Sequence, residues 1–185
     1  MMKEISLNVL DIVENSIKAK ATLIEIEIRI LPEEDFLTVK VRDNGEGMTE
    51  EQVRRVTDPF YTTRTTRNVG LGIPFLKMAA EMTGGRFNIS SNVNSGTEVE
   101  ARFILSHIDR MPLGDINSTI HLLIVGNTEI DFVYSYFFGE KYFVLDTREC
   151  RTILGDIPFY VPEVSSFLRE YLDENKIEVD DGLIM

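Results

Sequence analysis

Four polar residues near the start of the chain, Asn8, Asp11, Asn15 and Lys18, are spaced three, four and three apart. On a helix that spacing aligns their side chains in one stripe. An amide oxygen and a carboxylate can hold a hydrated magnesium ion or orient a water, and an ammonium neutralises phosphate, so the stripe suits a metal-bound triphosphate. Taken alone it reads first as a solvated helix face with a Glu14–Lys18 pair at i,i+4.

Two glycine-bearing stretches raise related chemistry. In "RDNGEGM", Arg42 to Met48, Asp43 is followed by Gly45 and Gly47, directly after the alternating run "FLTVKV". One glycine is enough to bend a chain, so the second, with a carboxylate just before the bend, needs a further reason, although Asn-Gly is also a common turn dipeptide. The spacing is not that of a calcium loop, which needs more oxygen ligands and a distal Glu. In "NVGLGIPFLK", Gly70, Leu71 and Gly72 stand just before helical spacing begins, where bare N–H groups and the helix dipole could receive phosphate. A single G-x-G also serves as a tight turn.

The elements that must position these groups follow from periodicity. Ile5, Val9 and Ile12, with Leu10, Val13 and Ile17, recur at three- and four-residue steps, which predicts a helix from Glu4 to Ala19. "TLIEIEIRI" and "FLTVKVR" alternate on either side of "LPEED" and read as a hairpin with one buried face. Thr49 with Gln52 forms a capping box for a short helix to about Val56, limited by Pro59. "IPFLKMAAEM" has helical spacing and a "TGG" stop, and "RFNIS" and "TEVEARFIL" read as two strands.

"SHIDRMPLGD", Ser106 to Asp115, has no period, so the chain divides into residues 1–107 and a small α+β module at 108–185. In the second part "STIHLLIVGN" reads as a strand carrying His121, "DFVYSYFFGEKYFVLDT" as two strands with Phe132, Tyr134 and Tyr136 on one face, and "PEVSSFLREYLDEN" as a closing helix.

Composition narrows the function classes. The 185 residues are 43% hydrophobic and 27% charged, a globular balance. No apolar run approaches the ~20 residues that span a bilayer, and the start lacks a signal-peptide layout, which predicts a cytoplasmic protein. The net charge of -12 argues against nucleic acid or an anionic membrane as the main partner. Residues 1–107 hold 13 Lys and Arg against 16 Asp and Glu, and residues 108–185 hold 6 against 15, so a polyphosphate site belongs in the first part. Cys150, His107 and His121 have no zinc spacing, and Cys150 reads as a small apolar residue.

In order along the chain, "LDIVENSIKA", "DNGEGM", "DPFYTTR", "NVGLGIPFLK" and "SGTEVEARF" resemble the N, G1, F and G2 boxes and the terminal strand of the GHKL ATP-binding family. That family includes histidine kinases, anti-sigma-factor kinases, DNA gyrase B, Hsp90 and MutL. The resemblance covers roughly residues 4–105 and implies an α+β fold: a two-layer α/β sandwich, with a mixed sheet carrying helices on one face. It implies ATP and Mg²⁺ as cofactors. Asn15 would bind magnesium and Lys18 would approach the phosphates or ribose. Asp43 would accept the adenine amino hydrogen, with Thr97 assisting through water, and Gly45 and Gly47 would let the backbone pass close to the base. Phe60 to Gly70 would form a lid placing Arg64 near the phosphates, and Gly70, Leu71 and Gly72 would cradle them.

The departures from the family bear on chemistry. Where hydrolytic members carry Glu four residues before the magnesium Asn, this sequence has Asp11, one methylene shorter. Glu14 points about 100° away from Asn15 on a helix, so Asp11 is the better candidate general base. No phosphoacceptor-histidine hairpin precedes the boxes, and His107 falls at a strand end. The expectation is an enzyme that hydrolyses MgATP or passes its γ-phosphate to a separate partner protein, as small anti-sigma kinases do. The alternative is a non-catalytic ATP/ADP sensor controlling a protein partner.

Overall fold

The computed structural model of the chain describes residues 4–58 and 72–183. The elements run α1 (Ile5–Lys18), β1 (Leu23–Leu31), β2 (Phe36–Asp43), α2 (Glu50–Val56), α3 (Gly72–Met82), β3 (Arg86–Asn92), β4 (Gly96–Ile104), α4 (Ile116–Gly126), β5 (Asp131–Phe138), β6 (Lys141–Asp146), α5 (Thr147–Leu154) and α6 (Pro162–Asp180). One six-stranded sheet has the order β3-β4-β2-β1-β5-β6, antiparallel except for the parallel pair β1 and β5. The fold is α+β, with helices packed on one face of a mixed sheet, as the family resemblance implied.

Strict alternation builds the interface between the layers. Ile24, Ile26, Ile28 and Ile30 of β1, Leu37, Val39 and Val41 of β2, and Val99, Ala101 and Phe103 of β4 are buried on one face. The next inward position on β2 is Asp43, and its register partner on β4 is Thr97. The two-residue period that makes the core therefore also drives a carboxylate inward at the end of a strand. On the opposite face Lys40 pairs with Glu98 at 3.3 Å and Arg42 lies 3.8 Å from Glu25.

Helix α1 presents Ile5, Val9, Ile12 and Val13 to that core. Its first turn is held from outside: the N–H groups of Ile5 and Ser6 donate to the carbonyls of Pro112 and Leu113, each at 2.9 Å. These bonds satisfy donors that a helix start leaves unpaired. Asn8 departs from the sequence-based stripe, because it is fully buried and its amide donates to the Glu4 carbonyl at 3.1 Å.

The aperiodic stretch after residue 107 is a change of path rather than a gap in the sheet, since β5 pairs with β1 from Leu23↔Asp131 to Ile30↔Phe138. Phe132, Tyr134 and Tyr136 are buried as their alternation predicts. "STIHLLIVGN", expected as a strand, is helix α4, and His121 lies on that helix. The residues are rich in β-branched types, but Ile116, Ile120, Leu123 and Ile124 form one buried stripe, and the Asp115 carboxylate caps the helix by accepting from the Ser118 N–H at 2.9 Å. His121 Nε2 lies 2.9 Å from Ser165 Oγ and Nδ1 lies 3.3 Å from Arg169, a polar seam between α4 and α6. Helix α5 was not expected, although its cap is readable: the Asp146 side chain accepts from the Arg148 N–H, and Gly155 ends it. Cys150 packs half-buried against the core, and burial pushes its thiol pKa up. Among the described residues no helix is long and apolar enough to cross a membrane.

Candidate functional site

Between α1 and the inward ends of β2 and β4 lies a cavity of about 240 Å³. Its walls are apolar, from Ile12, Val41, Met48, Val56, Ile73 and Val99, and its polar lining is Asn15, Ser16, Lys18, Asp43 and Thr97. The sequence-predicted Asn15, Lys18, Asp43, Gly47 and Thr97 are thus brought to one place from three segments of chain. Arg64, Gly70 and Leu71, with the rest of the expected lid, lie outside the described residues.

Asp43 is 8% exposed. Its Oδ1 accepts from the backbone N–H of Gly45 at 2.9 Å and of Thr97 at 3.3 Å, and its Oδ2 accepts from Ser16 Oγ at 2.7 Å. Charge-assisted bonds of this kind offset the cost of burying a carboxylate. An ionised carboxylate has about four acceptor directions, and three are used, so Oδ2 can take one more donor. That spare direction is open to an N–H donor beyond the three the chain itself supplies.

The loop after Asp43 is stitched down on two sides. Glu46 N–H donates to the Ala19 carbonyl at 2.8 Å, and the Asn44 side chain accepts from Thr22 and Leu23 N–H, each at 2.9 Å. Asn94 N–H donates to the Glu46 carbonyl at 2.6 Å, and Met48 N–H donates to Ser91 Oγ at 2.8 Å. The glycines serve these approaches. A Cβ on Gly45 would stand 2.6 Å from the Ala19 carbonyl oxygen, and one on Gly47, whose φ is +65°, would stand 1.9 Å from the Asn92 carbonyl oxygen. The second glycine is required by the turn between β3 and β4, which presses against it.

Asp11 does not line the cavity; it sits where α3 begins, with a Cβ on Gly72 falling 2.7 Å from its own Cβ. Burial, reinforced by Glu14 and opposed by Lys18, raises the Asp11 pKa above its ordinary value. Lys18 lies 3.8 Å from Glu14 in the i,i+4 pair that the helix spacing allows.

Ser16 is the site residue that sequence reasoning missed. It follows Asn15 and occupies a buried position four residues after Ile12, so its signal was a hydroxyl where the apolar stripe calls for a hydrocarbon. Ser16→Ala removes one of three donors to Asp43 and should cost about 1.5–3 kcal/mol in stability, with a loss in any affinity that depends on Asp43 orientation. Paired urea unfolding and ligand titrations of the two proteins check this.

An α/β sandwich with an apolar slot lined by a buried acid, an amide and an ammonium has the makings of a nucleotide site. Residues 3–107 match the family described as "Histidine kinase-, DNA gyrase B-, and HSP90-like ATPase", and the chain belongs to that family. It is 29% identical over 98 residues to the sensor histidine kinase YxdK of Bacillus subtilis (strain 168), covering 50% of this chain and 30% of that protein. It is 28% identical over 93 residues to the sensor histidine kinase YvrG of the same organism, covering 48% of this chain and 16% of that one. The chain spans less than a third of the length of the curated relatives it matches. Among solved structures it resembles the N-terminal domain of a DNA repair protein, with TM-score 0.57, 16% identity, and 78% of this chain and 53% of that one covered. It also resembles the Aquifex aeolicus MutL ATPase domain complexed with ADP, with TM-score 0.50, 16% identity, and 92% and 88% covered. These structural likenesses concern the fold.

Proposed function

We propose that the chain binds MgATP in this cavity and either hydrolyses it or passes the γ-phosphate to a separate protein. The observation that carries the reading is Asp43, a buried carboxylate with one spare acceptor direction at the end of an apolar slot. Adenine offers an exocyclic amine to such an acceptor, whereas guanine presents an oxygen there. At about 240 Å³ the slot is smaller than the roughly 300–1,000 Å³ of pockets that enclose a drug-sized ligand, so it suits a base whose ribose and phosphates extend past Asn15 and Lys18.

The donor set also suits the ion. Asn15 offers an uncharged oxygen of the type a hydrated Mg²⁺ takes alongside phosphate oxygens. When bound, such an ion would offset charge on the phosphates. Lys18 would add a positive charge at the cavity mouth, and Thr97, through its N–H, holds Asp43 in place. Asp11 would take the proton from the attacking water or hydroxyl, and its raised pKa makes it a stronger base than an ordinary carboxylate. Residues 1–107 carry this site, and residues 108–185 serve the protein partner. A cytoplasmic location and a role in signal transduction complete the proposal.

Asp11→Asn should leave ATP affinity unchanged and lower turnover by about 100-fold or more. Wild-type turnover depends on the deprotonated Asp11, so it should be complete above the raised pKa and decline as pH falls through it, at a pH above the ordinary value of about 4. Unchanged turnover in the variant would remove Asp11 from this role. The reading as a whole is tested by incubating the protein with γ-labelled ATP, alone and with candidate partners, and following released phosphate and labelled protein. Appearance of either is expected. ATP binding with neither would overturn the turnover proposal in favour of nucleotide sensing.

A further inference from the structure

At the sheet edge farthest from β3, the helices α5 and α6 and the end of β6 line a groove of about 460 Å³. Leu145, Cys150, Leu154, Phe159 and Leu168 lie along it, and its exposed apolar residues are Val144, Ile153 (86% accessible) and Phe167 (67% accessible). Scattered exposed apolar residues are ordinary on a protein surface. Two large ones on either side of an apolar groove mark a binding surface.

Charge selects the occupant. The lining includes Glu149 on α5 and Glu163 on α6, exposed residues that make no ion pair among the described residues. Around them, residues 108–185 carry 15 acidic against 6 basic residues. A second copy of the chain would bring this acidic surface against itself, and like-charge juxtaposition is costly. An anionic membrane is repelled for the same reason. The walls of the groove are two helices, with β6 contributing only its last residues, and a third helix can pack its ridges between them.

We infer that the α5–α6 groove is a docking site for an amphipathic helix of a partner protein, with large apolar residues at i, i+4 and i+7 flanked by Lys or Arg. The surface lies outside the nucleotide cavity and the inference stands independently of ATP binding.

Selection of a random peptide display library against the full chain tests it. Enriched peptides should carry apolar residues at helical spacing with basic flanks. Synthetic copies should become helical on binding, and their affinity should fall with added salt. Phe167→Glu, a change at an exposed position, should weaken them about tenfold or more, and so should Glu149→Lys combined with Glu163→Lys. No enrichment, peptides that are acidic or bind as extended strands, or affinities unmoved by these changes would overturn the inference. So would sedimentation showing a dimer that Phe167→Glu disperses, or flotation of the chain with anionic vesicles.

Discussion

An Asp43→Asn protein should fold and lose most of its affinity for ATP. The asparagine oxygen can still accept from the Gly45 and Thr97 N–H groups, and the Ser16 hydroxyl, now facing an amide, can turn and accept instead. What disappears is the spare acceptor, since the amide nitrogen presents hydrogens to the hydrogens of the adenine amine. Loss of a hydrogen bond to a charged group, with a buried donor left unmade, costs about 1.5–3 kcal/mol, which is roughly 10- to 150-fold in affinity. GTP affinity should not fall in parallel, because an amide donor can meet the guanine oxygen, so the ATP/GTP preference narrows. Calorimetric titration with both nucleotides, beside urea unfolding of the free protein, separates a recognition effect from a folding effect. Unchanged ATP affinity in a folded variant would remove Asp43 from base recognition.

Gly47→Ala should damage the same site by a different route. The added Cβ meets backbone, the Asn92 carbonyl oxygen at 1.9 Å and its carbon at 2.8 Å, and the position has φ of +65°. Neither neighbour can rotate away, so the loop must lift from the β3–β4 turn and give up the Asn94 N–H to Glu46 carbonyl bond and the Met48 N–H to Ser91 bond. A cost of about 3 kcal/mol or more is expected, with nucleotide affinity lost alongside it. Gly139 supplies the control: its φ is +58° but nothing lies within 4 Å of an added Cβ. Gly139→Ala should therefore show only the left-handed backbone penalty, about 1–2 kcal/mol. Equal losses at the two positions would contradict the close-approach account of Gly47.

Much of the site was legible because its position follows from the two-residue period. Counting inward positions along "FLTVKVRD" reaches Asp43, and the β4 strand brings Thr97 opposite it. Helical spacing placed Asn15 and Lys18 together, but it also assigned Asn8 to the polar stripe, since spacing alone does not show that the chain at 112–113 crosses the start of α1. Ser16 was missed because a small hydroxyl on an apolar stripe resembles a tolerated substitution until its partner 27 residues later is known. The helix α4 was misread from residue type. Its burial stripe and Asp115 cap were in the sequence, yet the run is short, apolar and partly β-branched, which also suits a strand. That β5 joins β1 in parallel is a long-range pairing, and no local pattern in "DFVYSYFF" distinguishes it from a hairpin in a separate sheet.

The central claim is that the cavity under α1 receives adenine nucleotide through Asp43. Equilibrium titration of the purified chain with ATP in the presence of Mg²⁺, followed by competition with ADP and GTP, tests it most directly. The account predicts one saturable site per chain, displaced by ADP, discriminating against GTP, and weakened by Asp43→Asn. Absence of saturable ATP binding by a folded protein, or binding that GTP matches and Asp43→Asn leaves intact, would contradict it.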